Sequence, residues 1–574
     1  MRRLIGMAVL AIASCAPQAD TMTAAHAPFP ITTETLLNQG WSAADRATFT
    51  GTPQGSYLMP LPWFKALQRT DADASFAADQ LGRYGYLPAA ATPANPLPLP
   101  VGFVRDGTAD DPQLGMTCAA CHTGQLRAKG IVWRIDGGRA NADFQSLLTD
   151  LGAASRATLT DPVRFNAFAV AVLGPSATPA QAAQLRQQFT DWLAQYDGFM
   201  TASLPDPPWG PGRLDAFGMI FNRVTGLDLA YPANMAKADA PVRYPFIWDA
   251  PRQDHTQWTG AAPNGTYLRG LARNTGEVFG VFGRLDPQPI PIHTAIYRNS
   301  VNLPGLQALE ERVVALRAPP WPRATFLLDE ARVSRGAVVF QSECASCHGL
   351  KPSPVVEKAW DTPVRNVGTD RRAFDNSQRV ASPRALTGTQ QPPFFGEWLT
   401  DPSPKLSILA NSVIGSLLDA AVVQDPAIRR AIDRDLTEGR LPRLNRRPSA
   451  APQATAANVK AATKDLYKTP KQEPGAAYEA RVLTGIWAVG PYLHNGSVPT
   501  LAELLKPAHD RMTRFAVGHQ DFDPVNVGIE TSPKPGRTMF VVNPNNGNDN
   551  TGHEYGTSLP DADRWALIEY LKTL

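Results

Sequence analysis

The sequence predicts a mainly α-helical protein in two parts, with long proline-rich loops and few short strands. The chain has 574 residues, which is enough for two or more ordinary domains. Its 53 prolines are scattered along the chain, and proline interrupts both long helices and interior strands. The clearest periodic segments are helical, and one short cysteine motif occurs once in each half of the chain.

The composition indicates a folded, globular protein. Hydrophobic residues make up 43% of the chain and charged residues 19%. The formal net charge is only +3 at pH 7, and the chain has no long run of Lys or Arg. Because nucleic-acid binding usually needs a concentrated basic surface, nucleic acid is not an expected partner.

The N-terminus has the pattern of an export signal. Arg2 and Arg3 precede an apolar run at 4–13, which is too short to cross a bilayer, and a small residue and a cysteine follow. We therefore predict an export signal over 1–15 and a periplasmic or secreted protein. The end of this signal also resembles a lipobox, in which Cys15 would carry the lipid anchor of an outer-membrane lipoprotein. An ordinary cleaved signal is the alternative.

The other four cysteines form two copies of one pattern, Cys-Ala-Ala-Cys-His at 118–122 and Cys-Ala-Ser-Cys-His at 344–348. Cys-x-x-Cys-His is the attachment pattern of c-type haem: the two thiols form thioethers with the porphyrin, and the adjacent imidazole binds the iron. The sequence therefore predicts two covalently bound c-type haems. The residues assigned to them are Cys118, Cys121, Cys344 and Cys347 as thioether ligands, with His122 and His348 as iron ligands.

Three other uses of these cysteines are less consistent with the pattern. Two zinc knuckles usually lie about 15 to 20 residues apart, whereas these pairs begin at residues 118 and 344. A thioredoxin-like redox pair does not call for a histidine after each motif. Two structural disulfides suit an exported protein, but such short rings constrain little of the unfolded chain.

Two helix patterns enclose the second motif. Residues 329–340 predict a short helix that leads into it, and a capping box at 558–561 predicts a final helix. The expected apolar face of that final helix consists of Trp565, Ile568 and Leu571. A helix before the motif and a C-terminal helix packed across it are typical of a cytochrome c module. We therefore place a C-terminal cytochrome c domain at 326–574.

The first motif lies in an N-terminal haem domain at 28–325, which contains loop-rich insertions. Its clearest helix is at 178–196, where Thr178 caps the helix and Gln181 completes a capping box. The aromatic face of that helix is expected to pack in the core and consists of Leu185, Phe189, Trp192 and Tyr196. An Ala-, Pro- and Lys-rich stretch at 443–472 predicts an exposed insertion or linker. The fold is thus expected to contain two cytochrome c-like haem domains.

The segment YEARVLTGIWAVGPYLHNGSVPTLAELL at 478–505 resembles the signature of the bacterial di-haem cytochrome c peroxidase superfamily. The closer resemblance is to the larger branch that includes the secreted di-haem rubber oxygenases. It covers about 326–574 and the surroundings of the first motif at 116–126. It implies an exported di-haem enzyme.

The resemblance also implies different coordination at the two haems. His494 would complete a bis-histidine site with His348, and the haem held by His122 would be five-coordinate or bind oxygen. In ordinary di-haem peroxidases the corresponding histidine lies near the haem edge and a downstream methionine binds the iron, which leaves Met512 and Met539 as alternatives. Three other histidines are expected to be turn or surface residues: His509, His519 and His553.

These assignments divide the chemistry between the two irons. An open iron binds a small oxidant, while a six-coordinate iron changes geometry little and stores or relays electrons. At the open site, Glu277 is a candidate general acid or base for peroxide cleavage. Phe279 and Phe282 are candidates to build a dry pocket for an apolar alkene.

The sequence therefore predicts a di-haem oxidoreductase that uses dioxygen or hydrogen peroxide. The first hypothesis is a dioxygenase of a hydrophobic alkene. The alternatives are a cytochrome c peroxidase supplied with electrons by a small cytochrome, and an electron-transfer cytochrome without a substrate. Related peroxidases hold calcium between their domains, so calcium is a further candidate cofactor.

Overall fold

A computed structural model describes residues 33–92, 95–290, 293–389, 398–423, 475 and 477–574. The predicted export signal at 1–15, including Cys15, and the predicted linker at 443–472 lie outside the described residues. Within the described part of the chain, no helix combines the length and apolar character needed to span a membrane.

The helices in these ranges are α1 (Ala43–Gly51), α2 (Leu61–Ala66), α3 (Phe144–Thr160), α4 (Pro162–Leu173), α5 (Pro179–Ser203), α6 (Ala216–Phe221), α7 (Tyr267–Gly280), α8 (Leu303–Ala315), α9 (Glu330–Glu343), α10 (Ala345–His348), α11 (Arg372–Ser377), α12 (Lys405–Val423), α13 (Leu501–Leu504) and α14 (Asp561–Leu571). A π-helix, Asn222–Asp228, follows α6.

The strands are β1 (Thr35–Leu36), β2 (Met59–Pro60), β3 (Phe103–Gly107), β4 (Pro112–Met116), β5 (Thr123–Ala128), β6 (Ile131–Asp136), β7 (Arg213–Leu214), β8 (Val242–Arg243), β9 (His255–Thr256), β10 (Ala262–Pro263), β11 (Leu285–Ile290), β12 (His293–Asn299), β13 (Val364–Arg365), β14 (Val380–Ala381), β15 (Ser403–Pro404), β16 (Tyr478–Glu479), β17 (Arg514–Val517), β18 (Phe522–Asp523), β19 (Gly528–Ile529) and β20 (Thr538–Val541).

The expected fold class, mainly α-helical with few strands, is wrong. In the described residues, 20 strands form nine sheets of two or three strands each. The longest regular ladders pair β3 with β4 and β5 with β6, both antiparallel. Proline shortens strands and confines them to edges rather than excluding them. The frequent prolines therefore indicated short strands, which the sequence-based prediction underestimated.

The first cysteine motif belongs to this β structure. β4 ends at Met116 and β5 begins at Thr123, so the motif at 118–122 connects two sheets. One sheet has the order β2-β4-β3, and the other has the order β1-β6-β5. The chain around His122 therefore does not build the helical cytochrome c-like domain that was expected.

Two separate haem domains are not evident either. One large core cluster contains Trp41 and Phe49 from the N-terminal end together with Leu567 and Leu571 from α14. A second large cluster packs around α3, α4 and α5. The main core thus draws side chains from both parts of the chain. The boundary between residues 325 and 326 stays a prediction.

The predicted helix at 178–196 is confirmed and extends further, as α5. Thr178 accepts a hydrogen bond from the Gln181 amide, and the Gln181 side chain accepts one from the Thr178 amide, which completes the capping box. Leu185, Phe189 and Tyr196 are buried in the second core cluster. Core packing of this aromatic face is therefore confirmed.

The two helices around the second motif are also present. Asp329 caps α9 through its side chain. The predicted cap of the final helix is wrong, because α14 begins after Pro560 without a side-chain capping bond. Ile568 and Leu571 are buried as predicted, whereas Trp565 is exposed.

The crossing of α9 and α14 depends on a glycine. A Cβ atom placed on Gly336 would lie 2.0 Å from the backbone oxygen of Ala566, far inside van der Waals contact. The absent side chain at Gly336 lets the two backbones approach this closely. The approach fixes α14 against the helix that leads into the second motif.

A buried carboxylate joins the segment before α7 to the segment after α10. Asp254 Oδ1 accepts hydrogen bonds from His255 Nδ1 at 3.0 Å and from Thr362 Oγ1 at 2.6 Å, and Asp254 Oδ2 accepts one from Ser353 Oγ at 2.6 Å. Burial raises the pKa of Asp254, but these hydrogen bonds outweigh it and lower that pKa to about 2.

We expect Asp254→Asn to lower the free energy of unfolding by about 2 kcal/mol at neutral pH, because the replacement removes a charged acceptor of several hydrogen bonds. The folded pKa lies below that of the unfolded chain, so this stabilisation is complete above about pH 5 and is lost as the pH falls towards 2. Denaturant unfolding of both proteins at several pH values measures the difference. Asp191→Asn, on the exposed face of α5, is the control. A constant difference between about pH 5 and pH 2 would contradict the prediction.

Candidate functional site

The first motif is held in a tight turn between β4 and β5. Cys118–Ala120 is a 3₁₀ helix, and the Thr117 side chain caps it by accepting a hydrogen bond from the Ala119 amide. The backbone amide of His122 donates to the Cys118 oxygen at 2.9 Å. The turn therefore places both thiols and the imidazole on one compact piece of backbone.

The imidazole of His122 is fixed by a backbone carbonyl. His122 Nδ1 lies 2.8 Å from the oxygen of Pro245. Because a carbonyl oxygen only accepts, the neutral ring carries its proton on Nδ1 and has a free lone pair on Nε2. Burial lowers the pKa of His122 to about 4, so the ring is neutral at pH 7. Such a neutral, oriented ring is suited to binding a metal.

Glu277 lies close enough to the first motif to affect it electrostatically. Burial raises the pKa of Cys121 to about 12, and the negative charge of Glu277 is the next largest cause. Glu277 sits on α7, its own pKa is raised by burial, and its Oε1 accepts a hydrogen bond from Gln257 Nε2. Phe279 is fully buried on the same helix, and Phe282 is buried just after it. The two phenylalanines therefore lie on and just after the helix that carries Glu277, and the roles of all three residues at the first motif stay predictions.

The second motif follows α9 directly. The chain passes from Glu343 through Cys344 into α10, which ends at His348. His348 Nδ1 lies 2.7 Å from the backbone oxygen of Arg481, and burial lowers the pKa of His348. The same reasoning as for His122 gives a neutral ring with a free Nε2.

A cavity of about 1320 Å³, including its mouth open to solvent, lies beside the second motif. The residues on its wall whose side chains could attach a haem or bind its iron are Cys344, Cys347, His348, His494 and His553. Its apolar lining includes Leu483, Ile486, Leu501, Leu504, Leu505, Leu567 and Leu571. Two thiols, several imidazoles and an apolar wall are the groups that a c-type haem requires, so the residues present fit that cofactor.

His494 lies in this cavity but is also engaged with other side chains. Its ring stacks on Tyr478 with centroids 3.8 Å apart, and its Nε2 is 4.0 Å from Asp370 Oδ1. The side chain is buried, which lowers the pKa of His494 to about 3. The structure therefore brings His494 and His348 to one cavity. The role of His494 as an iron ligand stays a prediction.

His553 was missed, and the expectation that it is a turn or surface residue is wrong for its side chain. Its ring centroid lies 6.2 Å from that of His348, and both rings line the cavity. Two imidazoles that bind one metal ion from opposite sides have centroids about 6 Å apart, because each metal–nitrogen bond is about 2 Å. The surrounding sequence, NNGNDNTGHEYG, is turn-forming and gave no sign that the chain returns to the cavity there.

The other predicted ligands and histidines lie elsewhere. Met512 and Met539 do not occur among the described residues that line this cavity. The amide of Met512 donates to Glu503 Oε2 at 2.7 Å, and Met539 lies in β20 opposite Ala516. The two histidines left are His509, which is exposed, and His519, which is buried.

Three arginines hold the loop that carries His494: Arg213 and Arg243 are buried, and Arg139 is half-buried. Arg139 Nε donates to the Gly490 oxygen at 3.1 Å, Arg243 Nε donates to the Leu493 oxygen at 2.9 Å, and Arg213 Nη1 approaches the Asn495 oxygen at 3.3 Å. Burial lowers their pKa values to about 10 for Arg139 and about 9 for the other two, so all three are charged at pH 7. The sequence gave no signal for these partners, because each arginine recognises backbone oxygens more than 200 positions away.

Comparison with known proteins agrees with this geometry. The family described as "RoxA-like, cytochrome c-like" matches residues 477–516, which include His494 and much of the cavity wall. This match supports binding of c-type haem and a relation to RoxA-like di-haem cytochromes, and it indicates a haem oxidoreductase in general.

Two proteins of Sinorhizobium fredii are similar to the chain. "Uncharacterized protein y4iJ" is 32% identical over 593 residues, which cover 94% of this chain and 93% of the relative. "Uncharacterized protein y4iM" is 35% identical over 122 residues, which cover 17% of this chain and 27% of the relative. The chain therefore belongs to the same protein family as y4iJ, and it carries a RoxA-like cytochrome c segment.

Proposed function

We propose that this chain is an exported di-haem c-type oxidoreductase, in which the His122 site meets the oxidant and the His348 site stores or relays electrons. The observation that carries the proposal is common to both motifs. In each, a partly buried imidazole donates its Nδ1 proton to a backbone carbonyl, which leaves Nε2 free for iron. The same arrangement in two places favours two haem sites over unrelated cysteine pairs.

The chain's own residues divide the work. Bound haem would supply an iron that changes oxidation state and binds a small oxidant. The four motif cysteines would hold the porphyrins, and the two carbonyl-bound histidines would hold the irons from one side. In the second cavity, His494 and His553 are the candidates to close the opposite side. If protein residues bind the second iron on both sides and the first iron on one side only, the first site could bind the oxidant and the second could store or relay electrons.

The first hypothesis for the reaction is oxygenation of a hydrophobic alkene by dioxygen. It is favoured by the apolar rings of Phe279 and Phe282, which are buried on and just after α7, the helix that carries Glu277. The substrate class itself rests on the resemblance to rubber oxygenases and on the match to the RoxA-like family.

The second hypothesis is reduction of hydrogen peroxide with electrons from a small cytochrome. Glu277 favours it, because a half-buried carboxyl group with a raised pKa is suited to move a proton during cleavage of an O–O bond. An electron-transfer cytochrome without a substrate is the remaining alternative, and it requires both irons to be closed.

The deciding experiment counts haems and open irons. Haem stoichiometry by pyridine haemochrome, followed by optical and electron paramagnetic resonance spectra with and without carbon monoxide, is expected to give two haems, of which one binds carbon monoxide. Colourless protein would overturn the proposal, and two closed irons would leave only the electron-carrier alternative. Oxygen uptake with an unsaturated hydrocarbon and no reductant identifies the dioxygenase. Peroxide turnover with a reduced cytochrome identifies the peroxidase.

We expect Glu277→Gln to separate the two enzyme hypotheses. If Glu277 moves a proton in peroxide cleavage, the replacement lowers peroxide turnover by about a hundredfold. If the chain is an alkene dioxygenase, oxygen uptake changes little. Glu310→Gln is the matched control, because Glu310 is a buried glutamate but is paired with Arg273 at 2.6 Å. An equal loss of activity in both variants would remove the specific role of Glu277.

Location and further ligands follow from the same proposal. An exported chain would work in the periplasm or outside the cell, with Cys15 as the site of a lipid anchor if the lipobox is used. Calcium stays a further candidate cofactor, expected from the resemblance to di-haem peroxidases.

A further inference from the structure

The two motif histidines are joined by a continuous path of bonds through the protein. His122 Nδ1 donates to the oxygen of Pro245 at 2.8 Å, and Pro245 is covalently joined to Phe246. Arg481 Nη2 donates to the oxygen of Phe246 at 2.9 Å, and the oxygen of Arg481 itself accepts from His348 Nδ1 at 2.7 Å. Three hydrogen bonds and two short stretches of covalent chain therefore connect one imidazole to the other.

The central residue of this path is rigidly held. The Arg481 side chain is buried, with its guanidinium carbon 4.4 Å from the centre of the Phe246 ring and 5.7 Å from that of Trp258. Its Nη1 lies 3.5 Å from Glu479 Oε1, which supplies a neighbouring carboxyl group. A buried arginine so enclosed has little freedom to leave its hydrogen bond to Phe246.

We propose that the Arg481 side chain, through its hydrogen bond to the Phe246 carbonyl, is the main electronic coupling between the two haem sites. This inference rests on the proposed function, since it needs a haem at each motif. With haem bound at both motifs, one electron would pass from one site to the other, so that one iron would be oxidised and the other reduced, with no proton or outside reductant required. Arg481 is a coupling residue, not a catalytic one.

The physical reason is that electronic coupling decays less steeply along covalent and hydrogen bonds than across gaps between side chains. The path from His122 to His348 contains bonds of both kinds and no gap. The competing route would pass through the stacked rings of Phe246 and Trp248, whose centroids are 4.8 Å apart. The two routes differ in what they need from Phe246: the first uses its backbone oxygen, and the second uses its ring.

The hydrogen bond between the Arg481 side chain and Phe246 can be removed by substitution without changing either candidate iron ligand, His122 or His348. His348 is oriented by the backbone oxygen of Arg481, which every substitution retains. The side chain of Arg481 contributes the bond to Phe246, the ion pair with Glu479 and the ring contacts with Phe246 and Trp258, and none of these contacts involves a motif residue. A replacement at position 481 should therefore change the coupling while both histidines keep their carbonyl partners.

The test measures the rate of electron transfer between the haems in the full-length holoprotein. Carbon monoxide is released by a laser flash from the half-reduced protein, and the redistribution of the electron is followed optically. We expect Arg481→Met to slow this redistribution by about tenfold or more, with optical and electron paramagnetic resonance spectra unchanged. Arg481→Lys, which retains a donor, should restore part of the rate.

A second variant tests whether a slower rate results from misfolding or from a change in the difference between the two midpoint potentials. Arg481→Met leaves Glu479 buried without its partner, so we would combine it with Glu479→Gln. The double variant should fold, keep both midpoint potentials near those of the wild type and still show the slow rate. Arg223→Met is the matched control, because Arg223 is also buried and donates to a backbone oxygen outside this path, that of Gly283 at 2.8 Å.

The outcomes are distinct. A rate within about twofold of the wild type in both Met variants would overturn the inference. So would a larger loss of rate in Phe246→Leu, since that variant removes the ring but keeps the carbonyl. Failure of the proposed function would be visible earlier, as protein with fewer than two haems or without carbon monoxide binding before any rate is measured, and that result would overturn the coupling as well.

Discussion

A variant in which Cys118 and Cys121 are both alanine is expected to contain half of the wild-type haem, to lose its response to carbon monoxide and to lose all oxidant turnover. In the proposed function the two thiols would be the covalent attachment points of the first porphyrin, and without them only His122 would hold it. The second site lies in another part of the core and has its own cysteines, so it should load normally.

Pyridine haemochrome, mass spectrometry of the intact protein and carbon monoxide difference spectra measure these effects. The matched variant replaces Cys344 and Cys347 with alanine. It is expected to contain half of the haem too, but to keep the carbon monoxide response and to lose the low-spin signal. If both double variants lost the carbon monoxide response equally, the assignment of the open iron to the first motif would be wrong.

Replacing His553 with alanine is expected to open the iron of the second site. The His553 ring stands 6.2 Å from His348 across the cavity, which is the separation that two imidazoles on one metal ion require. The variant should convert a low-spin haem to a high-spin haem and bind a second equivalent of carbon monoxide. We expect its midpoint potential to rise as well, because an imidazole ligand that stabilises the oxidised iron is lost.

His494→Ala is the matched comparison, because this residue lines the same cavity and is equally an imidazole. The variant should keep the low-spin spectrum, since the His494 ring is engaged with Tyr478 and faces Asp370. The opposite pattern, with the iron opened by His494→Ala and not by His553→Ala, would exclude His553 as the ligand and support the assignment made from the signature. His509→Ala, at an exposed position, controls for general effects of losing a histidine.

Local patterns in the sequence were reliable where the structure depends on neighbouring residues. The helix at 178–196 and the helix before the second motif were predicted because caps and apolar periodicity are properties of a short segment. The cysteine motifs were recognised for the same reason: porphyrin attachment fixes the spacing within five residues. These features required no knowledge of the rest of the fold.

Features that depend on distant residues could not be predicted. His553 approaches His348 only because the chain folds back after more than 200 positions, and nothing in its own turn-rich segment indicates this. The short strands around the first motif pair across proline-rich connections, so that neither alternation nor length marked them clearly. The arginines that hold the His494 loop bind backbone oxygens. Because every residue has a backbone oxygen, the sequence does not indicate which one an arginine will bind.

The carbonyl partners of the two motif histidines have a consequence for the order in which the protein matures. The ring of His122 is oriented by the backbone oxygen of Pro245, which is 123 positions further along the chain. The ring of His348 is oriented by the backbone oxygen of Arg481, which is 133 positions further along. If the chain is exported as proposed, the cysteines of each motif emerge long before the oxygen that orients the adjacent ring. We therefore expect haem to be attached covalently first. The absorption bands of the mature haem sites should appear later, when the chain has finished folding.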